Sequence, residues 1–245
     1  MLAVLFLGLP AACQIGFRLG TRAGRRRDAR DKSHASAWQA ALLGLAALLI
    51  GFTFSMAQAR YDARKHIVLA EANAIGTTYL RTYLLDAPHG DELRALVRPY
   101  VDTRLALAEA GVDQKRIDDL LRRSSGLEDQ IWTRVSAAAR ADHSPTTALL
   151  TQATNDMFDA GSEHLEALED PLPPTVFVVL ILVTGVAMLA VGYGCGLESL
   201  MHPLGMFVAP VLLAAVIGLV YDLAHPRAGI IRVHDPILDR LRQGL

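Results

Sequence analysis

Residues 38–59 read WQAALLGLAALLIGFTFSMAQA, and residues 60–80 continue as RYDARKHIVLAEANAIGTTYL with no Pro or loop between them. No charged residue occurs from Ala35 to Ala59, which exceeds the ~20 apolar residues needed to cross a bilayer core. Helical periodicity continues to about Leu84. A helix from Trp38 to Leu84 would be ~70 Å long at ~1.5 Å per residue, about twice the hydrocarbon thickness. Half of it therefore projects beyond the lipid, and such a helix can carry a pore or a signal across the interface.

Three further segments extend the membrane reading. Pro171–Leu197 is uncharged until Glu198, Phe207–Tyr221 is apolar with Pro210 inside it, and Met1–Phe17 carries no charge. With 245 residues and 52% apolar composition, the chain reads as an integral membrane protein of four spans. A cleaved secretory signal is the alternative for Met1–Phe17, but the basic n-region is missing and the Arg residues follow the apolar run. Pro10-Ala11-Ala12-Cys13 only loosely resembles a lipoprotein cleavage box.

Residues 60–170 hold 13 Lys or Arg against 19 Asp or Glu, a formal charge of −6, and their apolar residues recur at three and four. They predict a helical extramembrane domain. Its first helix stops at Asp86-Ala87-Pro88-His89-Gly90. A second runs over Asp91–Ala108 with Gly111 beyond it, and a third over Asp113–Ala141 with a break at Ser124-Ser125-Gly126. A fourth opens on Ser144 as N-cap with Pro145 next, runs to Leu168, and ends at Pro171-Leu172-Pro173-Pro174. Strand signals are nearly absent. The fold class is therefore all-α, partitioned as 1–59, 60–170, 171–222 and a tail over 223–245.

Composition excludes several functions. Cys13 and Cys195 both lie in apolar spans, so neither a disulfide framework nor a zinc site is implied. The eight His residues form no ligand grouping, and the Gly residues form no phosphate-binding fingerprint. No cofactor, metal, nucleic-acid partner or enzymatic activity is expected. Seven basic residues between the first two spans (Arg18, Arg22, Arg25, Arg26, Arg27, Arg30 and Lys32) face seven near the opposite span ends (Arg60, Arg64, Lys65, Arg227, Arg232, Arg240 and Arg242). The positive-inside rule therefore leaves orientation open.

On the second span, Leu48, Phe52, Ser55 and Ala59 share one stripe at three-to-four spacing. An apolar ring giving way to hydroxyl and small side chains suits a pore that gates by wetting. The alternative is a helix-packing surface, with Ser55 bonding its own backbone. Beyond the span, Arg60, Asp62, Glu71 and Asn73 are candidates for a subunit interface or a polar network. Asp62 reaches Lys65 and His66 along the helix. Glu71 and Asn73, in an apolar neighbourhood, need partners if buried, whether across subunits, along a permeation path or within the domain. Arg60 with Arg64, and Glu163 with Glu166, read as solvated surface pairs.

These residues carry a family resemblance. Gly51-Phe52-Thr53-Phe54-Ser55-Met56-Ala57, Arg60-Tyr61-Asp62-Ala63-Arg64-Lys65 and Glu71-Ala72-Asn73-Ala74-Ile75-Gly76-Thr77 are similar to motifs of the bestrophin-like membrane proteins. So is the tail Asp222-Leu223-Ala224-His225-Pro226-Arg227-Ala228-Gly229-Ile230-Ile231-Arg232-Val233. More distantly, Phe52 and Arg60 match the spacing of the bestrophin pore helix, and Arg64-Lys65 match with one residue deleted. The resemblance implies a pentameric ion channel in the inner membrane, with Phe52 in a hydrophobic neck and Leu48 one turn earlier. Gly44, one turn before that, departs from the bulky pattern. It also implies a cytoplasmic helical domain and termini, and the chain itself, inorganic ions and lipid as partners. Only Asp222, Asp235 and Asp239 fall where bestrophins bind calcium, so calcium activation is not implied. The rival reading is a non-conducting membrane sensor or scaffold that signals through its helical domain.

Overall fold

In the computed structural model, the described residues are 2–24, 29–198, 204–225, 227 and 236–245. The basic-loop residues Arg25, Arg26 and Arg27, and the tail residues Pro226, Ala228, Gly229, Ile230, Ile231, Arg232, Val233 and Asp235, lie outside them, as do the side chains of Arg30 and Lys32. The helices are α1 (Leu2–Gly24), α2 (Ala29–Thr82), α3 (His89–Glu109), α4 (Gln114–Ala141), α5 (Pro145–Glu169), α6 (Pro174–Leu197), α7 (Ala209–Ala224) and α8 (Pro236–Gly244). A π-helical turn at Leu204–Val208 leads into α7. No strand occurs among the described residues. Among the described residues, four helical segments are long and apolar enough to cross a membrane, and they take in α1, α2, α6 and α7.

The chain divides into two compact units, Met1–Ala59 with Leu172–His225 and Arg60–Pro171 with Pro226–Leu245. In the first, α1 lies against α6. Their contact rests on four glycines at i, i+4 spacing, Gly16 and Gly20 on α1 and Gly192 and Gly196 on α6. A Cβ on Gly16 would overlap the carbonyl of Leu189, one on Gly20 that of Tyr193, one on Gly192 that of Cys13 and one on Gly196 that of Phe17. Side chains are absent because the backbones touch, the arrangement of paired small-xxx-small motifs in membranes. Helix α1 also runs past Phe17, the expected limit of the first span, because Gly20 continues this contact while Arg18 and Arg22 stay exposed. The unit's apolar cluster includes Leu5, Leu9, Ile50, Leu180, Met188 and Ile217.

The second unit has a conventional apolar core. Ile75 and Tyr79 of α2 meet Leu93, Val97 and Tyr100 of α3, Ile131 and Val135 of α4, and Leu150 and Met157 of α5. Local signals set the helix ends. Gly111 takes a left-handed φ of 62° after α3, a conformation that suits glycine beyond a helix C-terminus. Asp113 caps α4 by accepting from the Arg116 N–H at 3.2 Å, and Ser144 caps α5 by accepting from Thr147 at 3.4 Å. The break expected at Ser124-Ser125-Gly126 does not occur, and α4 is continuous. Ser124 is buried with its hydroxyl 3.0 Å from Glu128 Oε1, so its side chain bonds one turn ahead rather than competing for the backbone. Leu238 of α8 inserts into this core, and Arg242 pairs with Asp102 at 2.6 Å.

Candidate functional site

The membrane part of α2 has two unlike faces. At about 100° per residue, Ala46, Ile50, Thr53 and Ala57 fall on one side and are buried. Gly44, Leu48, Phe52, Ser55 and Ala59 fall on the other and are exposed, Leu48 at 55% and Phe52 at 62%. The buried Thr53 hydroxyl satisfies itself on the Leu49 carbonyl at 2.7 Å. A Cβ on Gly44 or Gly51 would meet nothing within 4 Å. The stripe of Leu48, Phe52 and Ser55 is therefore uncovered along its whole length in the single chain.

Past Ala59, the four polar candidates on α2 separate. Asp62 and Asn73 stand on the exposed side of the helix. Arg60 is half-buried and bonds Asp170 through Nη1, at 2.6 Å to Oδ2 and 3.1 Å to the carbonyl. Glu71 is 0% exposed. Its Oε1 accepts from Arg104 Nε, and its Oε2 lies 2.5 Å from His164 Nδ1. Arg104 and His164 are 3% and 5% exposed, and Arg104 Nη2 donates to the Gly161 carbonyl at 2.7 Å.

This network ties α2, α3 and α5 together with both Glu71 oxygens engaged. The Oε2–Nδ1 contact joins Glu71 to His164 by a hydrogen bond, with Nδ1–H donating in the tautomer that suits a carboxylate acceptor. Burial pulls the Arg104 guanidinium down, but the Glu71 carboxylate, Tyr100 and Glu128 outweigh it and the net shift is upward. Arg104 thus remains a cation, and removing Glu71 would strand a buried charge. The neighbouring Tyr100 phenol is pushed up, chiefly by burial.

The sequence identifies Glu71 as needing a partner but not which. Arg104 and His164 lie 33 and 93 residues away, among other charges on amphipathic helices, and nothing local marks them. The glycine contact was open to detection, since Gly16–Gly20 and Gly192–Gly196 each have GxxxG spacing, the second within an apolar run and the first at the end of one, with Arg18 between its glycines. Among the described residues, no three His, Cys, Asp or Glu side chains come together to hold a metal ion.

An uncovered apolar stripe on a spanning helix that continues into a separately cored helical unit defines a four-span, all-α membrane protein with a helical extramembrane unit. More narrowly, the Bestrophin-like domain matches residues 7–237, and the chain belongs to the Bestrophin-like family. Its fold is shared with a bacterial bestrophin homologue from Klebsiella pneumoniae, 15% identical over 99% of this chain and 94% of that one, with a TM-score of 0.67. A point mutant of a K. pneumoniae bestrophin homologue is 12% identical over 95% of both chains, TM-score 0.68. A further structure, of a membrane protein carrying one substitution, is 15% identical over 99% of this chain and 94% of its own, TM-score 0.69. No curated protein matches the chain in sequence.

Proposed function

We propose that the protein is a homo-oligomeric ion channel, a pentamer whose α2 helices surround the axis and line the pore with Leu48, Phe52 and Ser55. One observation carries this reading: the stripe bearing these residues is uncovered along its length while the opposite face of α2 is packed. Family membership supports it. Phe52 forms the narrow apolar neck, where wetting and dewetting control conduction, and Ser55 follows it with a hydroxyl. The central unit and both chain ends lie in the cytoplasm, with the spans in the inner membrane. The formal charge of −6 over residues 60–170 favours cations wherever those carboxylates face the path.

Purified protein in planar bilayers under asymmetric salt tests conduction and charge selectivity together. The expected result is discrete currents, with larger or less regulated conductance in Phe52→Ala. Unchanged currents from an intact Phe52→Ala oligomer would remove Phe52 from the neck. Mass photometry in detergent is expected to count five subunits. One or two subunits, together with silent bilayers, would favour the sensor or scaffold.

A further inference from the structure

Arg60, Arg64 and Ile67 on α2 face Glu163, Glu166 and Asp170 at the end of α5 across an open groove of about 260 Å³. Both stripes follow helical spacing, so the facing is a property of the two helices rather than of one loop. The groove carries two guanidinium groups and three carboxylates. Arg64 is only 5% exposed, whereas Glu163 and Glu166 are exposed. All three bonds that Arg60 makes to Asp170 and Pro171 use Nη1, and a third of its side chain (33%) stays open.

The sign pattern selects the ligand. A simple anion would be drawn to the arginines and repelled by the carboxylates, and a simple cation would meet the reverse. A molecule carrying both charges a few ångströms apart satisfies both sides. The volume is below the about 300–1,000 Å³ of pockets that enclose drug-sized ligands, which suits a small polar group. The groove also begins where charge resumes: Arg60 ends the charge-free run that starts at Ala35, and Asp170 stands just before the one that starts at Pro171. Positions where charge resumes at the end of an apolar span are where the polar layer of a bilayer is expected.

We propose that this groove binds the zwitterionic headgroup of an aminophospholipid, its phosphate on Arg60 and Arg64 and its primary ammonium on Glu163 and Glu166. Guanidinium groups match phosphate oxygens with paired N–H donors. A primary ammonium offers N–H donors to carboxylates, whereas a choline headgroup has none. The site thus discriminates between two zwitterionic lipids of the same net charge.

The test is native mass spectrometry of the full-length protein, delipidated and titrated with phosphatidylethanolamine or phosphatidylcholine. The wild type is expected to retain phosphatidylethanolamine about tenfold more strongly, the scale of losing charge-assisted hydrogen bonds. In Glu163→Gln/Glu166→Gln, whose altered side chains are exposed, that preference should vanish while overall lipid retention persists. Arg60→Ala should weaken both lipids together. Equal retention of the two lipids by the wild type, or an unchanged preference in the double variant, would overturn the proposal. So would stabilisation of lipid-free protein by soluble O-phosphoethanolamine as strong as that by the lipid, which would identify the ligand as a soluble zwitterion. The readout is lipid retention rather than current, so it stands apart from the channel reading.

Discussion

The two units of this protein join their helices in different ways. In both, buried threonine hydroxyls turn inward on their own helix, Thr53 to the Leu49 carbonyl and Thr184 to the Leu180 carbonyl in the membrane unit, Thr103 to the Pro99 carbonyl and Thr154 to the Leu150 carbonyl in the other. In the membrane unit, however, helices meet through glycine backbones. In the helical unit, a fully buried carboxylate is shared between an arginine and a histidine from two other helices. Solvent explains the contrast. Lipid gives apolar side chains no reason to leave it, so spans associate through close packing. Water drives a large apolar core, and that core can hold an ionic network whose members are all engaged.

The sharpest way to break this contrast is Glu71→Ala, which leaves Arg104 and His164 buried without their carboxylate. Loss of one partner from a buried pair costs about 3–5 kcal/mol, enough to open the unit locally. Hydrogen-exchange mass spectrometry of the full chain should show faster exchange in α3 and α5, with Asn73→Ala, on the exposed side of the same helix, close to wild type. Protection unchanged in Glu71→Ala would mean the network is dispensable.

Gly192→Leu tests the other unit. It forces a side chain into the Cys13 carbonyl, and overpacking of this kind costs about 1–3 kcal/mol or more. The expected result is a lower thermal midpoint and faster exchange along α1, while Gly185→Ala, where a Cβ meets nothing within 4 Å, stays neutral. Smaller effects complete the series. Arg242→Ala breaks an ion pair whose side chains are 60% and 47% exposed, and it should cost under about 1 kcal/mol in thermal unfolding. A larger loss would show that α8 is held by that pair rather than by Leu238. Thr53→Val removes a hydroxyl that bonds only its own turn, and its unfolding midpoint should be within error of wild type.

Legibility in the sequence follows the same divide. The helices of the water-facing unit were readable because caps and turns announce them: Asp113, Ser144-Pro145 and the Asp86–Gly90 cluster place α3, α4 and α5 within two residues of their observed ends. The expected break at Ser124 failed because burial gave the side chain a bond within the helix. In the membrane unit, hydropathy marks the spans but not their partners, since Leu and Val face lipid and protein alike. There the glycine spacing is the one local signal of contact. For the candidate site, the stripe of Leu48, Phe52 and Ser55 follows from periodicity alone, as does the need of Glu71 for a partner. Arg104 and His164, and the facing of Arg60 and Arg64 by Glu163 and Glu166, depend on how separate helices pack, which no local pattern encodes.

The glycine contact also sets a schedule for biosynthesis. Gly16 is made early, whereas Gly192 emerges 176 residues later, about 10–35 s at ordinary rates of translation. During that interval α1 sits in the bilayer with its bare glycine face unoccupied. Crosslinking of stalled nascent chains should therefore place residue 16 next to lipid, or a membrane insertion factor, until α6 has left the ribosome.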